Sequence, residues 1–138
     1  MILRSNAWIA FVFIGALFIL FALYNLFYIP ALDPADPDEG WLWLTSEPAI
    51  IDYIKFYFRL QGLWQIPLAV FVIFTAVGGL RRGQRWAWYA CWCVPIHFVI
   101  LATMIPWLVP ILAPLFLLAV GALILMLPIV RQKSTKAA

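Results

Sequence analysis

A chain of 138 residues has room for one domain, and 67% of this one is hydrophobic against 11% charged. A soluble domain carries roughly 45–50% apolar and ~25% charged residues, so there is too little polar surface here to coat a globule in water. The net charge of +3 comes from few cations set beside apolar runs, which excludes a nucleic-acid interface, and two cysteines exclude a disulfide scaffold.

The solvent for such a surface is lipid. A hydrocarbon layer ~30 Å thick is crossed by about 20 apolar helical residues. The first run that qualifies extends from Asn6 to Ile29 and carries no charge. Arg4 precedes it as in a signal peptide. The run is longer than the ~7–15 residues of a signal core, and no small-x-small cleavage site follows, so it reads as a retained anchor.

An outer loop over 30–50 comes next. Pro30, Pro34 and Pro37 keep its first part extended, and Trp41 and Trp43 are placed to dip into an interface. Asp36, Asp38 and Glu47 fall at the first, third and twelfth positions of a calcium-loop count. Trp41 stands where that loop requires glycine, so the segment reads as a solvated acidic loop. Ser46 is placed to cap the next helix, with Glu47 in its first turn.

That helix is expected to run from near Glu47 to Leu80, ~51 Å at ~1.5 Å per residue, several turns more than a bilayer core needs. The membrane-spanning part is 60–80. The excess, "AIIDYIKFYFRLQG", is aromatic-rich. Its Asp52, Lys55 and Arg59 fall within ~60° of one another around the helix. It reads as an outer amphipathic extension, bent at Gly62 or projecting outward. It would serve as a collar with snorkelling Lys55 and Arg59, or as a lid over a pocket.

"LRRGQRW" then predicts a tight turn with Gly83 at its tip, basic residues near anionic lipid heads, and Trp86, Trp88 and Tyr89 in the interfacial aromatic belt. Two further spans follow over 86–105 and 107–130, with a short tail at 131–138 expected to lack order. Continuous apolarity in all four runs argues against barrel strands. Cations cluster at Arg4, at Arg81–Arg85 and after residue 130, whereas all six acids lie between Asp33 and Asp52. Lys and Arg favour the cytoplasmic side, which puts both termini and the 81–85 turn inside and the acidic loop outside. The expected fold is all-α: a polytopic, antiparallel four-helix bundle forming a single membrane domain over 1–138, integral to a bacterial inner or plasma membrane.

Polar side chains inside spans are costly and therefore mark candidate sites. Counting from Leu80, Gln65 lies ~22 Å across, Gln61 ~28 Å and Arg59 ~31 Å; Asn25 lies ~30 Å from Ser5, and His97 ~16 Å from Trp86. By depth, Asn25, Arg59, Gln61 and Gln65 gather at the outer side with His97 beneath them. With Asp52 and Trp64 they form either an outward-opening pocket shared by Arg59 and His97 or a set of interhelical hydrogen bonds. Pro67, Pro95, Pro110 and Pro114 punctuate the helices; Pro95 leaves the carbonyl of Cys91 without its usual donor. Cys91 and Cys93 point ~200° apart on a helix, so they are read as unlinked packing residues. With Cys93, His97 offers only two ligands, too few for zinc, and one histidine rules out bis-histidine haem within one chain. Thr75 and Thr103 have no base beside them, so no catalytic set is assigned.

"RLQG", Arg59 to Gly62, and "LRRGQRWAWYA", Leu80 to Ala90, resemble the outer start of the second helix and the cytoplasmic turn of small bacterial four-helix membrane proteins of the DoxX-like kind. The resemblance covers roughly residues 55–95 and implies an antiparallel four-helix bundle. Some members are associated with quinone-linked oxidoreductase complexes, but no redox motif is present here to carry that activity over.

Two functions follow as expectations. The first is a non-catalytic accessory or assembly subunit, in contact with membrane lipids and with other subunits or further copies of itself. The alternative is a binding protein or membrane-embedded enzyme for a lipid, quinone or other amphiphile, using Arg59, His97, Gln65, Asn25, Gln61, Trp64 and Asp52. A transporter ranks last, because no inverted repeat is visible.

Overall fold

The structure is a computed structural model and describes residues 6–28, 47–105 and 108–135. The acids from Asp33 to Glu39, the Trp41–Trp43 pair, the Ser46 cap, Arg4 and Trp107 lie outside the described residues. Among those described, all secondary structure is helical. Four helices are long and apolar enough to cross a membrane: α1 over Trp8–Tyr28, α2 over Pro48–Leu80, α3 over Arg85–Met104, and the Val109–Pro128 part of α4. The last helix in full is Val109–Thr135.

Each helix buries a stripe of residues three and four apart. In α1 it is Phe11, Ile14, Phe18, Ala22 and Asn25; in α2, Gln65, Ala69, Val72 and Ala76. The opposite faces are as apolar as the buried ones: Phe13, Leu20, Phe74, Met104, Leu117 and Ile124 are all exposed. A soluble monomer rarely shows apolar patches beyond a few hundred Å², so this outer surface is built for lipid.

α2 is 33 residues long. It is unbroken through Gly62 and through Pro67, as far as Thr75. The alternative of a bend at Gly62 therefore gives way to a continuous helix. At its other end the tail departs from expectation: α4 continues helical to Thr135 instead of ending at 130. Once the apolar span has set the helix, each further residue adds a backbone hydrogen bond without a new nucleation cost. Pro110 also differs from its reading as a helix breaker. It lies in the first turn of α4, where its missing N–H would have had no partner, whereas Pro114 and Pro128 are interior.

The chain divides into two compact units, Leu17–Ala69 and the pair of segments Met1–Ala16 and Val70–Ala138. In the unit 17–69, Gly62 comes against the backbone of α1. A Cβ there would stand 2.7 Å from the carbonyl oxygen of Ala22 and 2.7 Å from Leu26 Cγ. Just beyond, Tyr24–Tyr28 forms a π-helical turn. Within it the Asn25 amide nitrogen donates to the Phe21 carbonyl oxygen at 2.8 Å.

In the other unit, α3 packs along α4 and against the end of α2. The Trp88 indole N–H of α3 donates to the Leu123 carbonyl oxygen of α4 at 2.9 Å. α3 is interrupted at Trp92, between Arg85–Cys91 and Cys93–Met104. The interruption follows from Pro95, which offers no N–H to the Cys91 carbonyl; the Trp92 N–H bonds to Tyr89, three residues back, at 3.1 Å.

The corner between α2 and α3 is a tight cap. The Gln84 N–H donates to the Gly79 carbonyl oxygen at 3.1 Å and the Gly83 N–H to that of Leu80 at 2.9 Å. This is the Schellman pattern, which needs a left-handed residue, and Gly83 supplies it with φ 68. Gly79 sits inside the corner, where a Cβ would overlap that of Ala87 and lie 2.8 Å from the Trp86 ring.

Candidate functional site

In the unit 17–69 the sequence candidates divide into two sets. Asn25 (0% exposed) and Gln65 (9% exposed) are buried. Asp52 and Arg59 are exposed and Gln61 is half-buried. Trp64 is 73% exposed. The polar cluster expected from depth is thus distributed around α2, with only Gln65 on its packed stripe.

The two buried amides are incompletely satisfied. Asn25 uses its nitrogen on Phe21, within its own helix instead of across to another. Its Oδ1, like Oε1 of Gln65, is buried without a hydrogen-bond partner. A buried amide oxygen without a donor is costly, and each of these atoms has the chemistry to accept a hydrogen bond.

His97 belongs to the other unit. It is half-buried on α3, its ring 6.4 Å from that of Phe98. Grooves lie among the described residues of this unit. One of about 200 Å³ runs among Phe98, Val99, Leu112 and Phe116. A second, about 290 Å³, is lined by Trp92, Pro95, Ile96 and Ile100. The third, about 340 Å³, lies between Ala7 and Ala10 of α1 and Leu117, Gly121 and Leu125 of α4. Their walls are hydrocarbon apart from Asn6 in the third, suited to an acyl chain or a neighbouring helix, and His97 lines none of the three.

Among the described residues, no three of His, Cys, Asp and Glu come together to hold a metal ion. The Thr103 hydroxyl donates to the Ile100 carbonyl oxygen at 2.7 Å and is committed to its own helix. Cys91 and Cys93 are both free, Cys91 buried and Cys93 half-buried. Alkylation of the denatured protein without reductant should therefore add two adducts to the intact mass. A mass lacking both would show a disulfide and a broken α3.

The aromatic-rich first part of α2 carries exposed rings at Tyr53 (67%), Phe56 and Tyr57, continued by Leu60, Leu63 and Trp64. Spacings of three and four in "DYIKFYFRLQGLW" put them on neighbouring positions of the helix. Sequence reasoning missed a cation–π contact, with the Arg81 guanidinium 5.3 Å from the centre of the Trp8 ring. Nothing local in the sequence links those positions.

No family model, curated protein or solved structure matches the chain.

Proposed function

We propose that this chain is a non-catalytic accessory or assembly subunit of a membrane complex, docking through the outer part of α2. The observation that carries the reading is the exposed aromatic face at Tyr53, Phe56 and Tyr57. Counted back from Leu80, ~20 residues fill the hydrocarbon and a further ~4 fill the headgroup zone. Most of Pro48–Phe56 then stands beyond the lipid, on a helix without a break that could lay it flat. Lipid covers exposed rings lower down at Trp64 and Phe71 and its headgroups reach Tyr57, but Tyr53 and Phe56 stand clear of it. Aromatic rings rimmed by an exposed Asp52 and Arg59 have the composition of a protein interface: an apolar centre with charged edges.

This reading places both termini and the 81–85 turn in the cytoplasm and the 30–50 loop outside, in a bacterial inner or plasma membrane. Kinship with DoxX-like proteins belongs to the same proposal. Its support is the pair of stretches already quoted, and Gly62 and Gly83 in them have clear packing roles.

A photocrosslinking residue in place of Tyr53 or Phe56 tests the docking face in native membranes. A discrete protein adduct is expected from these positions and not from Phe74 on the same helix. Adducts to lipid alone, or none, would reject the docking role.

A second reading, an amphiphile-binding protein, is favoured by the buried, unpartnered oxygens of Asn25 and Gln65. A hydroxyl or amide on a lipid or quinol-type headgroup would satisfy them, with Arg59, Asp52, Gln61 and Trp64 as further candidate contacts in the same unit; His97 belongs to the other unit and is not part of this site. Mild purification separates the two readings. A co-purifying protein supports the first, and a small molecule lost on Gln65→Leu supports the second.

A further inference from the structure

We propose that the corner between α2 and α3 is a binding site for an anionic phospholipid, held through its phosphate by Arg81 and Arg85. The argument begins with charge. Residues 1–16 and 70–138 contain no Asp or Glu at all, yet Arg81, Arg82 and Arg85 crowd into five positions there. All three are exposed. No Asp or Glu side chain of this unit competes for Arg81 or Arg85, the two that the proposal uses.

Geometry then favours a lipid over a mobile ion. The corner is rigid, closed by the Gly83 and Gln84 backbone bonds and by Gly83 in its left-handed conformation. Arg81 is drawn over the Trp8 ring at the start of α1, which fixes its guanidinium beside an apolar span. Trp86 follows Arg85 directly, its indole N–H donating to Gln84 Oε1 at 2.6 Å. The Trp86 ring is half exposed, placed where a glycerol backbone would lie. Arginine fits because its planar fork pairs with two phosphate oxygens at once. The corner therefore offers one guanidinium held over a ring and a second, exposed one four residues on, at the edge of an apolar surface, a match for a phosphodiester with acyl chains attached.

The test is lipid binding by the full chain in detergent, read by native mass spectrometry. Phosphatidylglycerol is compared with phosphatidylcholine of identical acyl chains, with inorganic phosphate as a third arm. The native chain should prefer phosphatidylglycerol and ignore inorganic phosphate. The preference should fall about fivefold for each arginine removed in Arg81→Gln and Arg85→Gln. Arg81→Lys/Arg85→Lys should keep the charge but lose part of the preference, because the two-toothed contact is gone. Should the double Gln variant not fold, Arg85→Gln alone, at an exposed position, gives the same reading. Equal binding of the two lipids by the native chain would overturn the proposal. So would a preference that survives loss of both arginines, or inorganic phosphate competing as well as the lipid.

Discussion

Gly62→Leu should be the most damaging single substitution in the unit 17–69. The Cβ alone would meet the Ala22 carbonyl oxygen at 2.7 Å and the Leu26 backbone nitrogen at 3.2 Å. These are backbone atoms and cannot swing aside, so the two helices must part. Forcing extra methylenes into a packed site costs about 1–3 kcal/mol or more. Membrane helices gain stability from this kind of close approach at small residues. Alanine at the same position should also destabilise, although its better helix propensity offsets up to ~1 kcal/mol. Gly121→Ala is the internal control, since nothing lies within 4 Å of a Cβ there. Thermal unfolding in detergent should show Gly62→Leu far below the native chain and Gly121→Ala at or above it. Equal melting of the two variants would mean that the α1–α2 contact at Gly62 is absent.

Gly79→Leu should have a similar effect in the other unit. Gly79 is filled from outside by the Ala87 methyl and the Trp86 ring, so a side chain would drive the start of α3 away from the end of α2. Trp86 can rotate; Ala87 moves only with its helix. A loss of about 2–4 kcal/mol is expected, from overpacking and the loss of the contacts that close the corner. Gly78→Ala, one residue away, meets only Phe74 Cε1 at 3.9 Å and should be tolerated. The pair is measured by the same thermal assay, and a tolerant Gly79 beside a sensitive Gly78 would contradict the corner as described.

The helices were legible in the sequence because hydrocarbon thickness sets a minimum run of apolar residues, and four runs met it. The overlong α2 and the Gly83 turn were legible for similar reasons: charge placement and a glycine between arginines have few other readings. The candidate site was less so. Counting residues gives depth along a helix but not the direction a side chain faces, so Asn25, Arg59, Gln61 and Gln65 looked like one cluster. Burial separates them, with Asn25 and Gln65 inward and Arg59 outward. The π-helical turn at Tyr24–Tyr28 had no signal, because a five-residue bond spacing leaves no mark in composition. The Trp8–Arg81 contact was hidden because it joins positions far apart in the chain.

Both proposals depend on one orientation, with the aromatic part of α2 outside and the arginine corner inside. Labelling of single cysteines in intact cells by an impermeant thiol reagent tests it most directly, with Cys91 and Cys93 replaced by alanine. Asp38→Cys, in the 30–50 loop, should be labelled in intact cells, and Gln84→Cys only after the membrane is opened. Labelling of Gln84→Cys in intact cells, with Asp38→Cys protected, would contradict the account.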